Sequence, residues 1–126
     1  MRVSSIATSD EGYDKLLQNL FTSYDATNDI LRFDYKDEMP IIPLTTLEDK
    51  RTFIRYLCEF AIEEEDIQII HCRYGLDDGR ALTFKQIGEQ FDVSDEAVRS
   101  RLRKAQQKLR HRLNVSRAVD RWFRGI

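Results

Sequence analysis

Residues 82–113 read LTFKQIGEQFDVSDEAVRSRLRKAQQKLRHRL, and two helical patterns meet inside them at a tight junction. Thr83 is a capping residue for a short helix in which Phe84, Ile87 and Phe91 recur at helical spacing, with Gly88 where a second helix can cross closely. Asp92 tolerates the left-handed backbone of a turn after a helix, and Val93 is apolar enough to plug the junction. Ser94 then caps a second helix that has Asp95 and Glu96 in its first turn. In that helix Val98, Leu102, Ala105, Leu109 and Leu113 make one apolar stripe, while Arg99, Arg101, Arg103, Lys104, Lys108, Arg110 and Arg112 occupy the remaining surface. A helix, a three-residue turn and a basic second helix form the unit that places a recognition helix in the DNA major groove. The alternative is a surface helical hairpin whose charges are merely solvated. The coincidence of cap, turn, small residue and basic second helix favours DNA.

Charge follows the same division. Residues 1–80 carry nine Lys and Arg against seventeen Asp and Glu, whereas residues 81–126 carry eleven against five. The net charge of -2 therefore hides a basic surface suited to nucleic acid and an acidic half that either meets another partner or simply keeps the chain soluble. At 126 residues the chain can bury one core. Cys58 and Cys72 match no metal or redox spacing and read as buried thiols. With only His71 and His111 beside them, no metal site, cofactor or enzymatic centre is expected. No signal segment and no membrane-length apolar run is evident, so a cytoplasmic protein without membrane contact is expected.

The flanking segments supply an all-α reading. Residues 1–9 are small and polar and expected to be poorly ordered. From Asp10 to about Tyr24, Tyr13, Leu16, Leu17, Leu20, Phe21 and Tyr24 mark a broad apolar helix face. Residues 25–45 suit either a short strand over residues 30–36, with no obvious partner strand, or an extended linker. Pro40 and Pro43 keep MPIIPL extended, and its isoleucines should lie in a groove. A capping box, Thr45 with Glu48 or Thr46 with Asp49, opens a helix running to Ile62. Four acidic residues then start another over residues 63–73, which ends at Gly75. After Leu113, an interruption at residues 114–116 leads to a short helix at 117–126 with Val119, Trp122 and Phe123 on one face. The expected architecture is a small multi-helix domain with a helix-turn-helix over residues 46–126. An N-terminal helix and extended interaction segment over residues 1–45 precede it.

Over residues 62–113 the chain resembles region 4 of the sigma-70 family. IEEEDIQIIHCRYGLDDGRALTFKQIGEQFDVS is similar to the first part of region 4, with Arg73-Tyr74-Gly75-Leu76 and the Asp-Gly loop as its most specific pieces. EAVRSRLRKAQQKLR is similar to the recognition helix of extracytoplasmic-function sigma factors. The resemblance implies a domain that contacts the minus-35 promoter element and the flap of the RNA polymerase beta subunit. Nothing in residues 1–61 resembles region 2, which implies a free-standing region 4 that cannot open a promoter alone. Glu96, Arg99 and Lys104 fall where the family has residues that touch DNA. Asp95 and Ala97 fall where primary sigma factors carry arginines, so the usual minus-35 sequence is not expected to be read.

Joining spacing to resemblance, Ser94, Asp95, Glu96, Arg99, Ser100, Arg103 and Lys104 are the expected DNA residues of the second helix. Thr83 and Lys85 are expected to fix the phosphate backbone from the first. Three roles fit such a chain. It can be a transcription regulator that binds polymerase and promoter DNA, with a separate region 2-type protein or activator as a further partner. It can be a region 4 mimic of the phage type that displaces or redirects a host sigma factor. It can also be a dimeric helix-turn-helix repressor.

Overall fold

The computed structural model describes residues 4–33 and 40–124, and within them lie six helices and a small three-stranded sheet. The elements are α1 (Ser4–Leu20), β1 (Tyr24–Asp25), β2 (Ile30–Arg32), β3 (Ile41–Pro43), α2 (Leu47–Cys58), α3 (Glu64–Tyr74), α4 (Phe84–Phe91), α5 (Asp95–Arg110) and α6 (Arg112–Arg124). The all-α expectation holds, with the sheet as an addition. Residues 4–9, expected to be poorly ordered, lie in α1.

α1 buries Tyr13, Leu16, Leu17 and Leu20. It stops four residues earlier than its apolar pattern, because Tyr24 belongs to the first strand. β2 pairs antiparallel with both neighbours, Leu31 standing opposite Tyr24 and Ile42. The partner strands missing from the sequence reading are thus only two and three residues long, too short for a period-two pattern to register. Asp25 turns the hairpin, accepting from the amides of Thr27 at 3.0 Å and Asn28 at 3.3 Å. Asp29 completes it in the left-handed region at φ 54°. Pro43 is tolerated because β3 is an edge strand. Ile42 and Leu44 are buried as expected of an apolar extended segment, while Ile41 faces solvent. The strand reading of Asp34, Tyr35 and Lys36 lies outside the described residues.

Thr46, not Thr45, caps α2, sharing a reciprocal box with Asp49. α2 ends at Cys58, four residues short of the expected Ile62. α3 runs one residue beyond expectation to Tyr74 and is closed by Gly75 at φ 63°. Gly12 of α1 lies so close to the end of α3 that a Cβ there would sit 2.1 Å from the Tyr74 carbonyl oxygen. Tyr74 also ties three helices together through its hydroxyl, which accepts from Asn19 at 2.7 Å and Gln106 at 2.5 Å. One contiguous core results, in which α1, the sheet and all the later helices take part.

The junction of α5 and α6 departs from the expected pattern. The helix breaks at His111, with ψ 133°, rather than at residues 114–116. Asn114 Nδ2 donates to the Lys108 carbonyl at 2.6 Å and the Leu113 amide donates to His111 Nδ1 at 3.2 Å, so side chains take over from the helical ladder. Leu113 therefore leaves the buried stripe and is 68% exposed. On α6, Val115, Ala118 and Val119 are buried and Trp122 packs edge-on against Phe53 at 6.0 Å. Phe123 does not share that face and is 58% exposed.

Candidate nucleic-acid interface

α4 and α5 are set by a chain of local interactions that the residue types dictate. Thr83 and Gln86 form a reciprocal capping box at the start of α4. Asp92 ends the helix in the left-handed conformation at φ 60°. Gly88 is required by the turn itself. A Cβ there would lie 2.6 Å from the Val93 carbonyl oxygen, and the Val93 amide donates to the Gly88 carbonyl at 2.9 Å. Ser94 caps α5, its hydroxyl accepting from the Ala97 amide at 3.1 Å. The expectation that Val93 plugs the junction is not met, since that side chain is 37% exposed. The buried apolar residues flanking the turn are Ile87 on α4 and Val98 on α5.

Val98, Leu102, Ala105 and Leu109 are buried along the inner face of α5. The outer face at its N-terminal end forms one open concavity lined by Ser94, Asp95, Glu96, Ala97, Arg99, Ser100 and Arg103. Six of the nine residues assigned to DNA from the sequence thus meet on one surface. Lys104 is exposed one residue beyond it. Thr83 and Lys85 are exposed on α4 outside the concavity, and Thr83 lines a separate cleft of about 600 Å³ between α1 and the α3–α4 connection. The Thr83 hydroxyl accepts from the Gln86 amide at 3.1 Å while remaining open to solvent.

The cations of α5 are not equivalent. Arg101 turns to the acidic start of α3, where its guanidinium contacts Glu65 and holds Asp66 at 2.8 Å. The hydrogen bond to Glu65, with the Asp66 charge, raises its pKa, and the two carboxylates together engage its charge. Arg110 reaches the Asn19 carbonyl of α1 at 3.3 Å. Sequence spacing counts both as part of the basic surface and has no signal for either attachment, because the partners lie 36 and 91 positions away. Among the described residues, Arg103, Lys104, Lys108 and Arg112 have no carboxylate partner. The concavity therefore combines two carboxylates at the helix start with unpaired cations one and two turns on. Its carboxylates, hydroxyls and guanidiniums place hydrogen-bond acceptors and donors side by side on one exposed surface.

Cys58 is buried and its thiol is pushed up to about 12 by that burial, while Cys72 is only half-buried. Among the described residues, no group of three His, Cys, Asp or Glu side chains could hold a metal ion. No described helix is long and apolar enough to cross a membrane.

Residues 61–111 match the family model of sigma-70, region 4. The matched segment coincides with the stretch whose motifs resemble that region in the sequence and includes the whole α3–α4–α5 unit up to the break at His111. Curated relatives match the same part. The RNA polymerase sigma factor SigA of Clostridium acetobutylicum is 39% identical over 62 residues, covering 49% of this chain and 16% of that protein. SigA of a Nostoc species is 41% identical over 51 residues, covering 40% and 13%. SigA1 of Synechococcus elongatus is 49% identical over 43 residues, covering 34% and 11%. The similarity thus spans about one sixth or less of the length of these relatives. No solved structure matches the chain significantly.

Proposed function

We propose that this chain, through its sigma-70 region 4 segment, is a non-enzymatic transcription regulator that binds RNA polymerase and places α5 against promoter DNA. The observation that carries the reading is the concavity at the start of α5, where Ser94, Asp95, Glu96, Arg99, Ser100 and Arg103 converge on a surface left open by the rest of the fold. Arg99, Arg103 and Lys104 supply the phosphate and base contacts, and Lys108 and Arg112 add attraction without sequence information. Thr83 and Lys85 meet the backbone from α4. Asp95 and Glu96 accept from a cytosine amino group if they reach a base edge, which gives a site different from one read by arginines.

The region 4 body docks on the beta flap, and residues 1–45 supply the surface for a further component, a separate region 2-type protein or an activator. Capture of the beta flap by the purified chain tests the polymerase contact, and loss of all binding removes it. DNA affinity measured against salt tests the other half. Each phosphate contact contributes a slope of about -0.9, so a response flat in salt contradicts the contacts named here.

The exposed Asp95 also favours a second reading, in which the chain occupies the flap and redirects or displaces another sigma factor without reading DNA itself. In vitro transcription separates the two. Added protein stimulates particular promoters under the first and inhibits sigma-dependent ones under the second.

A further inference from the structure

The ring of Phe84, the first residue of α4, touches both neighbouring helices through cations. The guanidinium carbon of Arg73 on α3 lies 4.2 Å from the ring centroid, and that of Arg99 on α5 lies 4.9 Å from it. The ring is held by its own backbone. The Leu82 amide donates to the Cys72 carbonyl at 2.9 Å, and Arg73 Nη1 donates to the Leu82 carbonyl at 3.0 Å, so the segment entering α4 is tied twice to the end of α3. Arg73 is thereby engaged. Arg99 is different: it lines the concavity of α5 and, among the described residues, has no carboxylate or carbonyl partner.

A guanidinium resting on an aromatic ring uses its flat face, while its N–H donors lie in its plane and stay available. An arginine on an exposed helix otherwise samples many rotamers and loses that freedom when it binds. We propose that Phe84 is a positioning residue for nucleic-acid recognition: its ring holds the Arg99 guanidinium at the mouth of the concavity with its donor edge free. Arg99 then meets the duplex already ordered. An aliphatic side chain at position 84 satisfies the same packing but has no ring quadrupole to hold a cation. This role rests on the promoter-binding reading above.

Two measurements test it. In the free protein, the Arg99 Nε–Hε NMR signal is expected to carry an aromatic ring-current shift that disappears in Phe84→Leu and persists in Phe84→Tyr. The second uses a duplex selected by the wild-type chain from a random-sequence pool. Phe84→Leu is expected to bind it about three-fold more weakly with an unchanged salt slope, and Phe84→Tyr to bind like wild type. Arg99→Ala should cost less affinity in the Phe84→Leu background than in wild type. An Arg99 signal without the ring-current shift in the folded wild type overturns the proposal, and this arm stands even if Phe84→Leu fails to fold. A wild type that selects a duplex which Phe84→Leu binds equally well overturns this role alone. A wild type that selects no duplex overturns the promoter-binding reading and this role with it.

Discussion

Lys50 on α2 and Arg99 on α5 are cations on helices packed into one core, and the fold treats them in opposite ways. Lys50 is 2% exposed, with its Nζ 3.0 Å from Asp14 and 3.3 Å from Asp29. The Tyr24 hydroxyl donates to the same Asp14 at 2.8 Å. Carboxylates from α1 and the hairpin turn meet that charge as it is withdrawn from water, as burial of a charge requires. Arg99 stays at the surface with a ring beneath it and, among the described residues, makes no ion pair, although Asp95 and Glu96 line the same concavity. Paired charge fastens the N-terminal segment to α2, whereas on α5 Arg99 is left at the open surface without an ion pair among the described residues.

Removing the sealed cation should have the largest effect. Lys50→Ala leaves Asp14 and Asp29 facing each other at the edge of the core and is expected to cost about 3 kcal/mol of stability. Urea denaturation measures this, and an unchanged midpoint would break the comparison. Arg99→Ala should show the reverse profile, with DNA affinity down about tenfold at an unchanged melting temperature. Arg101 sharpens the contrast, since it sits two residues along the same helix but is paired with Glu65 and Asp66. Arg101→Ala should lose about 1 kcal/mol of stability, because the pair is only partly shielded from water, and should weaken DNA binding less than Arg99→Ala does.

The smallest effect lies at alkaline pH. Burial raises the Tyr24 phenol above its ordinary value, and its hydrogen bond to Asp14 raises it further. An unfolded tyrosine ionises near pH ~10 and the folded one only above that, so the stabilisation is complete below pH ~10 and is lost as pH rises beyond it. Tyr24→Phe should flatten that alkaline decline in a pH series of melting temperatures.

Much of the α3–α4–α5 unit was legible in the residues because its determinants are local. Thr83 with Gln86, Asp92 in the left-handed region and Ser94 below Ala97 each act over three residues or fewer, and residue types that favour those conformations are few. The buried positions of α5 through Leu109 followed its period for the same reason. Leu113 did not, because the break at His111 depends on Asn114 folding back to Lys108, a bond that competes with a helical ladder the residue types also permit. Val93 was misjudged because apolar character does not say whether a turn points its side chain inward.

By itself the sequence determined the cap–turn–cap geometry of residues 83–97, the apolar stripe beneath α5 and the family to which residues 61–111 are similar. All of these follow from neighbours a few positions apart. Only the tertiary structure decided which cations of α5 remain available. It sent Arg101 to Glu65 and Asp66, Arg110 to Asn19 and Arg99 to Phe84, and it gave the short β2 its two partners. The physical reason is that charge pairing and strand pairing join groups brought close by the folded chain, at separations over which hydrophobic periodicity carries no signal.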